Sequence, residues 1–218
     1  KRKVMWMNIY KPIIGELTEE NDIHASIELY KENGTIIENR IITKLEEIDL
    51  NAEDIEFEKC IFRDCKIKGT FERAVFHDVI FENCDFSNSL FMEGSFIRVA
   101  FKNSKFVGCD FSESRIYHMS AEESIFKYAN FSNTSLEEII FNECDLANSS
   151  FSECKIKHIY FEKSKLIQTQ FFRTKLKGID VSTCEIHGIV TSIEDIKGII
   201  VNSFQAIELS KLMEIVIK

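Results

Sequence analysis

The 218-residue chain has one proline, Pro12, and one tryptophan, Trp6. No apolar run approaches the roughly 18 residues a helix needs to cross a bilayer, so the sequence offers no membrane span. The opening residues, KRKVMWMN, carry charge with no apolar core behind it, and no secretory leader is expected there. Residues before Met5 or Met7 read as a trimmed or appended start. No Cys-x-x-Cys pair occurs among the seven cysteines, which excludes zinc-ribbon spacing. An odd number of cysteines without a leader points to reduced thiols and a cytoplasmic location. A glycine-rich phosphate loop, a nucleophile elbow and an HExxH motif are all missing. Positive charge is also short: 27 Lys and Arg against 36 Asp and Glu leave a net charge of −9. That balance argues against a general nucleic-acid or anionic-membrane binder and suits basic partners.

What the chain has in abundance is phenylalanine, 19 in all. They fall five apart: Phe71, Phe76, Phe81, Phe86, Phe91, Phe96, Phe101, Phe106 and Phe111 run without a break. Followed to Ile186, the same frame holds a large apolar residue at every position but Ala121. A helix repeats every 3.6 residues and a strand every two, so five fits neither. An earlier stretch of the frame, Phe57, Phe62 and Ile67, slips by one residue before Phe71. Two positions before each centre the residue is small on three sites in four, and all seven cysteines occupy this slot. They read as small inward fillers. The fourth site is large instead: Val79, Val99, Met119, Ile139, Ile159 and Ile179, 20 residues apart. The full repeat is therefore 20 residues in four sides, the signature of a solenoid with one differently packed corner. Stacked coils one strand spacing apart, about 4.8 Å, should form side-chain columns. The column Phe71, Phe91, Phe111, Phe131, Phe151, Phe171 should be a stacked ladder.

The units CDFSN, CDFSE, ANFSN and CDLAN, at 84–88, 109–113, 129–133 and 144–148, resemble the pentapeptide repeat family, with its loose A(D/N)LXX pattern. The resemblance covers about residues 55–188, with no long interrupting loop. It implies an all-β chain folded as a right-handed quadrilateral parallel β-helix. The expected organisation is an N-terminal cap over 1–52, the β-helix over 53–198, and a C-terminal element over 199–218. In the cap, Ser26–Tyr30 and Thr35–Ile42 flank Lys31-Glu32-Asn33-Gly34, which reads as a hairpin around an Asn-Gly turn. In the tail, Ser203 reads as the N-cap of a helix carrying Phe204, Ala206, Leu209, Leu212 and Met213, and Ile215-Val216-Ile217 as a short strand. The tail resembles the element by which quinolone-resistance (Qnr-type) members pair, so these five residues are dimerisation candidates.

Two outward columns carry the candidate chemistry. His118, Glu138 and His158 lie 20 apart in equivalent slots. The outer two stand two coils apart, an awkward reach for one zinc ion, so an exposed polar column is the better reading and no cofactor is expected. Glu93, Glu113, Asn133 and Glu153 form a second column, where neighbouring like charges repel. Qnr-type proteins are thought to mimic duplex DNA and bind DNA gyrase or topoisomerase IV, and the resemblance implies that such an acidic row could serve the same end. Charge is uneven: Phe71–Glu153 holds fourteen acidic and six basic residues, whereas Cys154–Gly188 holds three acidic and seven basic. A basic band near a C-terminal dimer centre opposes direct transfer, as does the lack of the Qnr-type loops. Three functions stay open: a non-enzymatic interaction or structural module of unassigned partner, a DNA mimic acting on a type II topoisomerase and conferring quinolone resistance, or a binder of nucleic acid or another polyanion through the basic band.

Overall fold

The computed structural model describes residues 11–46 and 48–215. Twelve strands follow one another in coils: β1 Thr18–Glu19, β2 Ile37–Glu38, β3 Arg40–Thr43, β4 Ile48–Asn51, β5 Glu56–Glu58, β6 Ile61–Arg63, β7 Ile67–Thr70, β8 Val75–Glu82, β9 Ser95–Lys102, β10 Arg115–Glu122, β11 Ser135–Asn142 and β12 Lys155–Glu162. Helix α1 spans Ile23–Asn33 and helix α2 spans Ser203–Ser210, followed by a 3₁₀ turn over Lys211–Met213. Among the described residues every strand pair is parallel. The chain is a right-handed four-sided β-helix of about seven turns with a C-terminal helix.

The 20-residue repeat appears as register: Ser95 faces Arg115, which faces Ser135, which faces Lys155. Strands β8 to β12 each cover two consecutive sides, and single bridges such as Asp85–Lys105 and Leu90–Asp110 join the other two. The two-before-centre slot inside the long strands is the one that takes the large residues, and Val79, Val99, Met119 and Ile139 are buried. At the other three corners the small residue, where it is Ser, Thr or Cys, has a polar task. Ser104 Oγ donates to the Phe81 carbonyl at 3.3 Å and the Lys102 carbonyl at 2.7 Å, and accepts from Cys84 N–H at 3.0 Å. Ser114, Thr134 and Thr174 bond carbonyls of the preceding coil in the same way. Cysteine can replace serine there because its thiol still donates, as Cys84 Sγ does to the Phe62 carbonyl at 3.3 Å. Buried backbone groups at the corners are thereby satisfied.

The interior is aromatic. In the all-Phe column successive rings lie 4.9, 4.9, 5.0, 4.7 and 5.3 Å apart, with interplanar angles of 12° or less. Spacing and angle are those of the backbone coils, so rings stack by inheritance from strand register. Adjacent columns meet edge-on, as Phe101 meets Phe106 at 84°. Ala121 interrupts one column between Phe101 and Phe141, and Met119, the one unbranched side chain in the wide-corner slot, stands two residues away. Both are buried, and a long unbranched Met is the side chain suited to fill the volume a missing ring leaves.

The one-residue slip shortens one side. Lys66 pairs with Asp85 at a separation of 19, but Thr70 pairs with Leu90 at 20. Gly69 sits in the shortened side, where a Cβ would lie 2.5 Å from the Leu50 carbonyl oxygen. Only glycine fits that close approach.

The N-terminal region differs from expectation. Ile23–Asn33 is a helix, not the first strand of a hairpin. Asp22 caps it by accepting from Ala25 N–H at 3.1 Å, and Ile23, Ile27 and Tyr30 recur at helical spacing toward the core. The Asn-Gly pair stops this helix: Gly34 takes φ 74° and its N–H bonds the Tyr30 carbonyl. Nor is 1–52 wholly a separate cap. β2 and β3 pair with β5 and β6 at a 20-residue register, so coiling begins by Ile37, below the expected start at 53. Isoleucine rather than phenylalanine fills those centres, and Ile37 and Ile42 are buried.

Candidate interaction surface

Nearly every corner of the tube turns through a left-handed residue two after the centre. Glu93, Glu113, Asn133 and Glu153 have φ of 56°, 60°, 60° and 59°. That conformation throws their side chains outward, and all four are exposed. The structure thus stacks them as one column, with an addition: Arg73 and Arg173 occupy the same slot at its two ends, both in the left-handed region. Arg173 pairs with Glu153 at 3.1 Å, and Arg73 pairs with Asp54 at 2.7 Å. The acidic row is therefore bracketed by cations, and Glu93 and Glu113 are its adjacent like charges.

Sequence reasoning missed a second acidic ridge, at the corner after the long strands. Glu122, Glu123, Glu143 and Glu162 fall in its neighbouring slots, with Lys163 pairing Glu143 at 2.8 Å. The 20-residue spacing of Glu123, Glu143 and Lys163 was the available signal. Earlier in this column Asn103 donates to Asn83 at 2.9 Å, and Asn83 to Asp64 at 3.1 Å, an amide ladder one coil per rung.

The slot of His118, Glu138 and His158 mixes acidic and basic residue types along the rod. Asp78 and Arg98 precede them, and Arg98 grips Asp78 at 2.7 and 2.6 Å while Asp78 also accepts from Ile13 N–H at 2.8 Å. Burial acts to raise the Asp78 carboxyl, but the Arg98 and Ile13 hydrogen bonds outweigh it and hold its pKa below the ordinary aspartate value. His158 Nδ1 lies 3.4 Å from Glu138. Among the described residues no His, Cys, Asp and Glu converge as a metal-binding group of three or more.

The basic band is largely paired. Lys157 bonds Glu137, and Lys175 bonds Asp195 at 2.9 Å. That lysine, with Ser192 and the Arg173 N–H, holds the Asp195 pKa low. Lys155 and Lys177 are exposed between these pairs.

At the C-terminal end the five dimerisation candidates divide. Leu209 is buried against the core and Leu212 packs beside it, so these two close the last coil of their own chain. Phe204 is 82% exposed, Met213 is 55% exposed and Ala206 is also outside, joined by the exposed Ile200 and Ile207. Asn202, not Ser203, caps α2, in a reciprocal box with Gln205. Gln205 then does what the sequence pattern did not disclose. Its side-chain amide donates to the Val181 carbonyl at 2.8 Å and the Cys184 carbonyl at 2.7 Å, covering the open edge of the solenoid. Of the expected terminal strand, Val216 and Ile217 lie outside the described residues, as does the start before Met5 or Met7. No described helix is long and apolar enough to cross a membrane.

A closed parallel coil with a 20-residue register, Phe-filled interior and polar corner fillers defines a pentapeptide-type solenoid. The pentapeptide repeat region profile matches residues 74–148, 95–171 and 122–191, and the chain belongs to the pentapeptide repeat family. Similar solved structures include QnrB1, a plasmid-mediated fluoroquinolone resistance protein. One trypsin-treated variant of it is 20% identical, with 94% of this chain and 98% of that chain covered and a TM-score of 0.45. HetL, a pentapeptide repeat protein involved in heterocyst differentiation regulation in the cyanobacterium Nostoc, is 10% identical over 82% of this chain and 97% of its own, with a TM-score of 0.37. Comparison with curated proteins gives no significant match.

Proposed function

We propose that this protein acts by binding rather than catalysis, as a rigid cytoplasmic rod that pairs through its C-terminal ends and presents registered charge columns to a protein partner. The observation that carries this reading is the apolar cluster on α2. The coils draw most of their large apolar residues inward, with Tyr128 and Phe172 among the exceptions, and Phe204 is the most exposed of all at 82%, on the same short element as the exposed Ile207 and Met213. A patch of that kind favours association. Light scattering behind a sizing column tests it. The wild type should have the mass of two chains and Phe204→Glu that of one, with an unchanged circular dichroism spectrum. A monomeric wild type refutes the pairing.

A narrower reading is that the acidic columns stand in for DNA phosphates before a type II topoisomerase. Two acidic ridges on diagonally opposite corners, one with Glu93 and Glu113 and one ten residues further on with Glu123 and Glu143, favour it. A gyrase supercoiling assay with and without quinolone decides. Protein that alters supercoiling, and loses the effect when Glu93, Glu113 and Glu153 are changed to Lys, supports the mimic. An inert wild type removes this reading and leaves the scaffold reading intact.

A further inference from the structure

The seven cysteines are all buried and free, but one pair differs from the rest. Cys65 and Cys84 occupy the same corner slot in successive coils, and Asp85 N–H bonds the Cys65 carbonyl at 2.8 Å across the coil boundary. Neighbouring coils put such residues about 4.8 Å apart at the backbone, inside the Cα separation a disulfide spans. The other thiols lack a cysteine in the slot above or below. Cys144 lies between Ser124 and Ser164, Cys154 between Thr134 and Thr174, and Cys109 between Ser89 and Ala129. Interaction with the neighbouring Cys84 thiol holds the Cys65 pKa below the ordinary cysteine value while raising that of Cys84. Burial pushes Cys60 up to about 11, and Cys109, Cys144 and Cys154 up to about 12. Access is also local. A surface cleft of about 510 Å³ has both Cys65 and Cys84 in its wall, among Asp64, Lys66, Asn83 and Asp85.

We propose that Cys65 and Cys84 form a redox modification site, reduced at rest and converted by peroxide to a reversible inter-coil disulfide. The Cys65 thiolate attacks one peroxide oxygen, the O–O bond breaks, and the departing hydroxide takes a proton to become water. Cys65 is then a sulfenic acid. The Cys84 thiol attacks that sulfur, the S–S bond forms, and the S–O bond breaks as hydroxyl leaves with the Cys84 proton as a second water. The thiol pair loses two electrons and peroxide gains them. The bridge would close the 19-residue step where the repeat is one residue short, fastening the first coils to the regular rod.

The test uses the full native chain exposed to hydrogen peroxide at neutral pH. The expected product is about 2 Da lighter by intact mass, maps to a Cys65–Cys84 cross-linked peptide, and reverts with dithiothreitol. Cys84→Ser should abolish the loss, and Cys144→Ser should retain it. Alkylation of Cys65 by iodoacetamide should rise with pH at a lower midpoint than that of the other cysteines in the wild type. If Cys84→Ser does not fold, the wild-type peptide map alone decides. A different cysteine pair in that map, oxidation to sulfinic acid without a bridge, or a mass loss seen only in denaturant overturns the proposal.

Discussion

Phe111→Ala offers the most direct measure of what the aromatic ladder contributes. Phe111 is 1% exposed and stacks on Phe91 at 4.9 Å and on Phe131 at 5.0 Å, with Phe96 edge-on at 5.7 Å. Removing a buried Phe ring costs about 3–5 kcal/mol through lost transfer energy and the cavity left behind. Each stacked pair contributes roughly 0.5–1.5 kcal/mol beyond area. With a ring lost on both sides, the upper end of the range, about 4–5 kcal/mol, is expected. At a urea slope of about 2–3 kcal/mol per molar, the midpoint should fall by about 1.3–2.5 M. Phe171 ends the ladder and stacks on Phe151 alone, at 5.3 Å, so Phe171→Ala should lose about 1 kcal/mol less. Lys105 is exposed, and Lys105→Ala should stay within about 0.5 kcal/mol. Urea melts of the three variants side by side are the assay. A Phe111→Ala shift no larger than that of Lys105→Ala would refute the ladder as the source of stability.

The gap at Ala121 gives a coupling test: Ala121→Phe should overpack the core and cost about 1–3 kcal/mol, and adding Met119→Val should recover most of it in the same melts. Additive rather than compensating effects would show that Met119 does not fill that space. Gln205→Ala removes the donor to two edge carbonyls and should cost about 1–3 kcal/mol, with faster amide hydrogen exchange in α2 and around Val181–Cys184 while the middle coils stay protected. Uniform protection along the rod would count against an edge-closing role. The depressed Asp78 pKa means that its contribution is present above the ordinary aspartate value and is lost as pH falls through its lower folded value. Acid melts of the wild type should therefore steepen below about pH 4, and Asp78→Asn, less stable at neutral pH, should show a shallower acid slope. Parallel acid profiles for the two proteins would exclude Asp78 from acid unfolding.

The five-residue apolar period, the small slot before each centre and the 20-residue recurrence of large residues at one corner were legible as sequence. An inward residue in a stacked coil meets its own equivalents above and below, so local pattern and tertiary contact carry the same information. The Phe column, the buried cysteines and the parallel register follow from that identity. Where a residue's partner is not its repeat equivalent, the pattern was silent or misleading. Asn33-Gly34 fits a hairpin turn and a helix stop equally well, and the packing of Ile23 and Ile27 on the first coil decided for the helix. Leu209 and Phe204 are both apolar on one short helix, yet the way α2 lies on the last coil buries the first and exposes the second. The acidic column could be read from Glu93 to Glu153, but the pairing of Arg173 with Glu153, and of Arg73 with Asp54 at the far end, exists only when the coils are stacked. The sequence alone determined the interior, because repetition makes every inward neighbour a copy. The tertiary structure decided the ends and the outer charge pairs, because there each contact joins residues unlike in kind and distant in the chain.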